Sequence, residues 1–169
     1  LTDGTRQVFL CSLFGKSIRF RESDIRPSGR KSMGVRGMGL AQGDELVGME
    51  VLTYGETLLT ATENGYGKRT LIDEYPVQKR GGKGVITIKT NERNGKVVTI
   101  LAVNDEDEVM LVTDAGKIIR LAIADISVIS RNTQGVKLID IEPYERLVSA
   151  ARLAEQETDD TGGEIQQEY

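Results

Sequence analysis

The chain has 169 residues, 38% hydrophobic and 28% charged, with a net charge of −4 and neither His nor Trp. It is long enough for one or two small domains with a real core. The missing His excludes His-based general base catalysis and His-containing metal sites, and the single Cys11 excludes an internal disulfide or a cysteine cluster for zinc.

The first element is the apolar run Val8-Phe9-Leu10-Cys11, read as a strand with Cys11 as a small buried side chain. A turn ending in Gly15-Lys16 leads into Ser17-Ile18-Arg19-Phe20, and two runs about a short Gly-containing connection predict a hairpin. Glu22-Ser23-Asp24-Ile25 reads as a single helical turn. The polar loop Ser28-Gly29-Arg30-Lys31-Ser32-Met33-Gly34 follows, then strands starting at Gly34-Val35 and at Leu46-Val47. The same series recurs. Leu58 to Ala61 reaches Gly67-Lys68 and Arg69-Thr70-Leu71-Ile72, then a basic loop, Gly84-Val85 and Val97-Val98. Val109 to Val112 reaches Gly116-Lys117 and Ile118-Ile119-Arg120-Leu121, then a helical turn at Ile123-Ala124-Asp125-Ile126, a polar loop, Gly135-Val136 and Leu147-Val148.

The Gly-Lys glycines are 52 and 49 residues apart, the Gly-Val glycines 50 and 51, and Val47, Val98 and Val148 are 51 and 50 apart. One period of roughly 50 residues in three landmarks predicts propeller blades or a similar array. The expected fold is all-β and propeller-like, with three four-stranded blades over about 1–52, 53–104 and 105–153 and about 12 strands in all. Residues 154–169 are expected to form a disordered tail. It carries six carboxylates and no Lys or Arg, and 26 acidic residues less these six leaves 20 against 22 basic ones in the body. The tail's sharper expected role is competition with a polyanion for the basic loops. Asp105-Glu106-Asp107-Glu108 reads as a solvated loop rather than a metal site, because it lacks glycine-centred loop ligands. A chain opening on Leu1 rather than Met is expected to be a piece of something longer, and no stretch reads as a signal peptide or membrane span.

The polar loops carry the chemistry. Four residues before each Gly-Val glycine stands an arginine: Arg30, Arg80 and Arg131. The middle loop, Gln78-Lys79-Arg80-Gly81-Gly82-Lys83-Gly84, packs three cations and three glycines into seven residues. Glycines let a backbone approach a ligand closely, consecutive N–H groups form anion-binding nests, and Lys and Arg bond phosphate. It is no nucleotide-binding P-loop, since it lacks the Gly-x4-Gly-Lys-Ser/Thr pattern and a following helix. With blades side by side, Arg30, Lys31, Arg36, Lys79, Arg80, Lys83, Arg131 and Lys137 form one curved cationic stripe, suited to bent duplex DNA held through its phosphates. The competing role for the periodic arginine is to bond carbonyls and hold the repeats together. None of the 8 Phe and Tyr residues lies in the three loops, so stacking on single strands is not expected.

These residues carry a resemblance. Gln78–Gly84 matches at every position the box motif of the DNA gyrase A C-terminal domain family. Gly34-Val35-Arg36-Gly37, Asn64-Gly65-Tyr66-Gly67-Lys68-Arg69, Thr113-Asp114-Ala115-Gly116-Lys117 and Arg131-Asn132-Thr133-Gln134-Gly135-Val136 resemble the distal part of that domain, over about residues 7–153. The resemblance implies a β-pinwheel, a six-bladed relative of the propeller, of which this chain is the C-terminal half. It implies a sequence-nonspecific module that wraps double-stranded DNA round a basic rim through Gln78, Lys79, Arg80, Gly81, Gly82, Lys83 and Gly84, with Arg30, Lys31, Arg36, Arg131 and Lys137 along the same path. The implied partners are the remainder of the gyrase A protein and the ATPase subunit, in the cytoplasm at the nucleoid. The holoenzyme would introduce negative supercoils. No cofactor is expected in this chain, with ATP and magnesium in other parts of the holoenzyme, and neither membrane nor small-molecule substrate. The family's intact box normally lies in the first blade, whereas here it is in the second of three units. No part corresponds to the breakage-reunion domain, so its catalytic tyrosine is not carried onto Tyr54, Tyr66, Tyr75, Tyr144 or Tyr169, and alone the chain should cleave nothing. The alternatives are the corresponding domain of topoisomerase IV, which usually has a degraded box, and a β-repeat scaffold that binds protein.

Overall fold

The first two apolar runs are strands covered on both faces, whereas Val109 to Val112 alternates buried and half-buried residues. Successive side chains of a strand point to opposite sides of a sheet, so a run without polar alternation needs a neighbour on each. In the computed structural model, which describes residues 2–52 and 57–153, β1 (Gln7–Ser12) sends Val8 and Leu10 toward Ile18, Phe20 and Met38. From its other face Phe9 and Cys11 pack with Leu58, Tyr75, Ile88 and Val97 of the next unit. β4 (Thr57–Thr62) divides likewise, Leu58 joining that junction and Leu59 and Ala61 the next one, with Val103, Val109, Leu111 and Leu147. Tyr75 closes the first junction: its ring meets Phe9 edge-on at 4.9 Å, and its hydroxyl lies 2.6 Å from Thr87 Oγ1. Burial also pushes the Cys11 thiol up, which leaves it an inert packing group. Tyr54 and the acidic stretch 155–169 lie outside the described residues.

Hairpins join β1 to β2 (Lys16–Arg21), β4 to β5 (Tyr66–Leu71) and β8 (Glu108–Thr113) to β9 (Ile118–Ala122). Each is followed by a 3-10 turn, at Glu22–Asp24, Ile72–Glu74 and Ile123–Asp125. Long strands β3 (Leu46–Leu52), β7 (Val97–Val103) and β11 (Leu147–Leu153) pair with β1, β4 and β8, and β7 contacts both of its counterparts.

The strand at the Gly-Val landmark does not join its own unit. β6 (Val85–Ile86) pairs with β2 of the first unit, Ser17 against Val85, and β10 (Val136–Lys137) pairs with β5 of the second, Gly67 against Val136. The sheets run β3-β1-β2-β6, β10-β5-β4-β7 and β11-β8-β9, so each of the first two blades is finished at its outer edge by the unit that follows. This gives 11 strands among the described residues. Val35 belongs to no strand, and β9 has no partner strand beyond β8 among the described residues.

One landmark moves. The hairpin glycine of the second unit is Gly65, with φ +77°, matching Gly15 at +75° and Gly116 at +82°; Gly67 sits inside β5. The spacings become 50 and 51 residues, the same as for the other landmarks. Glycine is required there because the next unit lies against it: Thr87 and Ile88 N–H donate to the Gly15 carbonyl, and Leu138 and Ile139 N–H to that of Gly65.

Candidate nucleic-acid interface

The segment that carries a blade's outermost strand must first climb that blade's edge, and the box is that climb. Gln78 N–H donates to the Arg19 carbonyl at 2.7 Å, beside a parallel bridge between Arg19 and Val77. Gly81 N–H then donates to Gly37 O at 2.6 Å, and Gly39 N–H to Gly82 O at 2.8 Å, so the first polar loop is laced to the box. Gly84, with φ +69°, turns the chain into β6 directly over Ser17. The box therefore belongs by sequence to the second unit and by position to the outer edge of the first blade.

The predicted cations separate into two kinds. Lys79, Lys83, Arg30, Lys31 and Arg36 are exposed and form no ion pair among the described residues. The N–H groups of Gly82, Lys83 and Gly84 also donate to no backbone acceptor among them. Arg80 instead donates Nε to Asp24 O at 3.1 Å and Nη1 to Arg36 O at 3.0 Å. Arg131 does the same one junction on, Nη1 to Ile86 O at 3.2 Å, while its own N–H donates to Glu74. Two of the three periodic arginines thus bond carbonyls of the preceding unit, as the competing role for that residue requires, and Arg30 alone has no such partner among the described residues. Lys137 is exposed but ion-paired with Asp140 at 2.8 Å.

Sequence reasoning misses a second periodic arginine. Arg19, Arg69 and Arg120 stand 50 and 51 apart on β2, β5 and β9. Arg19 donates to the carbonyls of Ile72 and Tyr75, and Arg69 to that of Ile126 and to Asp105. Arg19 and Arg69 each clamp the 3-10 turn of the following unit, and the 50-residue period is the signal that could have found them. Three of the four carboxylates of the 105–108 run are engaged structurally: Asp105 with Arg69, Asp107 with Arg152, Glu108 with Arg120.

In the sequence Lys68 reads only as part of a turn. It is buried, and its ammonium donates to the Ser130 carbonyl at 2.6 Å, holding the third polar loop against β5. Burial pulls its pKa down to about 8 from 10.5, Glu74 opposing the shift and Arg131 adding to it. The folded state therefore loses this proton first, and stability rises with pH between about 8 and 10.5. Burial also pushes the Tyr75 phenol up to about 12 from 10, so the unfolded chain ionises first and stability falls above pH 10. Urea unfolding from pH 7 to 11 should show a rise on the order of 1–2 kcal/mol and then a fall. Lys68→Met is expected to flatten the rise, and Tyr75→Phe combined with Cys11→Ala the fall, since the buried Cys11 thiol is also pushed up and destabilises the fold as pH rises above about 9; a profile indifferent to these substitutions would contradict these assignments.

The family described as DNA gyrase C-terminal domain, beta-propeller, matches residues 6–53, 56–104 and 107–154. The DNA gyrase A protein of Escherichia coli (strain K12) is 48% identical over 155 residues, which is 92% of this chain and 18% of that protein. A solved DNA gyrase A C-terminal domain superposes with a TM-score of 0.85 at 29% identity, over 90% of this chain and 52% of that one. The solved C-terminal domain of DNA topoisomerase IV gives 0.84 at 27% identity, over 90% and 48%. The chain spans about a fifth of the length of the curated relative and about half of the solved domains.

Proposed function

This chain belongs to the DNA gyrase C-terminal domain family, and we propose that it binds and wraps duplex DNA without sequence preference as part of a gyrase A protein. The observation that carries the proposal is the intact box along an outer blade edge, with Lys79 and Lys83 exposed and unpaired, among the described residues, beside backbone N–H groups that have no backbone acceptor there. Ammonium groups and backbone donors meet phosphates and carry no base information. A duplex that follows successive blade edges round the array would bend, at a cost repaid by added phosphate contacts.

In this reading Arg80 and Arg131 hold the loops that present the lysines. The wider partners are the remainder of the gyrase A protein and the ATPase subunit. Within that assembly the wrap would give strand passage its handedness, and ATP and magnesium would act in other parts. The site of action is the cytoplasm, at the nucleoid. No helix among the described residues is long and apolar enough to cross a membrane.

The test is binding to a linear duplex across a salt series. Log affinity should fall linearly with log salt, and Lys79→Ala/Lys83→Ala should make the slope shallower by about 2. Weak binding that the double substitution leaves unchanged would make the box a structural turn and favour the protein-scaffold reading.

A further inference from the structure

The third polar loop, Ser130–Gly135, keeps Arg131 but has no lysine, and Arg131 is committed to Glu74 and Ile86. At the second junction the polar loop thus supplies none of the free cations that the box supplies at the first. The second junction has something the first lacks. Between the hairpin turn of the second unit and the strand-return loop of the third lies a cavity of about 260 Å³, lined by Asn64, Tyr66, Arg93, Lys137, Glu142 and Arg146 among others. Lys137 is on β10, the outermost strand of the second blade, so the cavity opens beside the same edge path as the box.

We propose that this cavity binds a phosphate group. Arg93 lays its guanidinium over the Tyr66 ring, 4.7 Å from the centroid. A guanidinium held by its face keeps its N–H edge free for a bidentate acceptor, which two oxygens of a phosphate supply. The Arg93 guanidinium makes one further hydrogen bond among the described residues, a long 3.5 Å bond from Nη1 to Gln134. Arg146, also in the lining, uses Nη1 on the carbonyls of Pro143 and Glu145, which fixes its guanidinium. Lys137 is tied to Asp140, and Glu142 is the carboxylate in the lining, so three cations face one anion directly and one through Lys137. Asn64, fixed by donating to the carbonyls of Glu92 and Arg93, has a buried Oδ1 without a donor and can accept from a hydroxyl or water at the ligand's edge.

The period shows that the pocket is particular to this junction. Counting back 50 residues from Asn64 and Tyr66 reaches Phe14 and Lys16, and 51 from Arg93 reaches Gln42. The stacked pair has no counterpart there. The cavity replaces, by other residues, the phosphate contact that the third loop has lost. That part of the inference rests on the DNA reading; the phosphate chemistry of the pocket does not.

The experiment has two arms on the full chain. In the first, inorganic phosphate is titrated at constant ionic strength into the wild type and Arg93→Ala, following backbone amide shifts by NMR. Saturable movement at Asn64–Tyr66 and Lys137 in the wild type, lost in the variant, is the expected result. In the second, the duplex salt series compares the wild type, Arg93→Ala, Arg93→Lys and Lys79→Ala/Lys83→Ala. Arg93→Ala should lower the slope by about 1, additively with the lysine pair, and Arg93→Lys should restore much of it. Phosphate shifts with an unchanged slope identify free phosphate, not DNA, as the occupant and uphold the site. No shifts and no slope change, with the lysine pair still sensitive, overturn the pocket and leave the DNA reading standing. If the wild type shows no salt-dependent affinity at all, the DNA reading fails and the phosphate arm alone decides the pocket.

Discussion

Gly84→Ala should cost about 3 kcal/mol or more and weaken salt-dependent DNA binding with it. Two penalties add. The residue sits at φ +69°, where an L side chain costs about 1–2 kcal/mol. A Cβ there would also run into the Ser17 carbonyl oxygen, a backbone atom of β2 that cannot swing aside. Overpacking of that kind costs about 1–3 kcal/mol more. The strained strand is β6, only two residues long, so the loss falls on the exchange between units and on the box laid just before it. Gly34→Ala is the matched control. It has nearly the same positive φ, +72°, and open space around the added carbon, so it should lose only the backbone term, about 1–2 kcal/mol. Urea midpoints separate the two substitutions. Equal losses would mean that β6 is not held against Ser17.

The contrast explains how much of this architecture is legible in sequence. Strands β1 and β4 are visible because burial on both faces leaves their centres rich in apolar residues. The repeat is visible because each unit must place a glycine wherever the next one crosses it. The exchange itself is hidden. Val85-Ile86 and Val136-Lys137 are too short for alternation, and what fixes their partner is a strand edge in another unit. The hairpin glycine is misplaced by sequence for a local reason: Gly67-Lys68 repeats a dipeptide, yet Asn64-Gly65 is the stronger turn signal. In the site, the number of cations is readable but their availability is not. Arg80 and Lys79 are neighbours in sequence; one bonds two carbonyls and the other faces solvent. Arg93 gives no signal, because its meaning depends on Tyr66 and on residues 44 to 53 positions further along.

Arg69→Met is expected to be the costliest single substitution among the inter-unit clamps. Its side chain is 5% exposed, donates to the Ile126 carbonyl and pairs with Asp105. Removing the charge strands a carbonyl at the second junction and undoes a charge-assisted bond, which together cost about 3 kcal/mol. Arg120→Met tests the same place in the period where there is no following unit to clamp among the described residues. Arg120 is 66% exposed and pairs with Glu108 on the neighbouring strand, a surface pair worth about 0–1 kcal/mol. The stability difference should appear in urea midpoints. The functional consequence is graded differently: Arg69→Met should loosen the third loop, Arg131 and β10 together, and so weaken DNA binding without touching the box. If Arg69→Met and Arg120→Met lose stability equally, the clamp is not what joins the second and third blades, and packing of Leu59, Val109 and Leu147 alone must carry that junction. If Arg69→Met is destabilised yet binds DNA with an unchanged salt slope, the second junction lies off the DNA path and the wrap is confined to the first blade's edge.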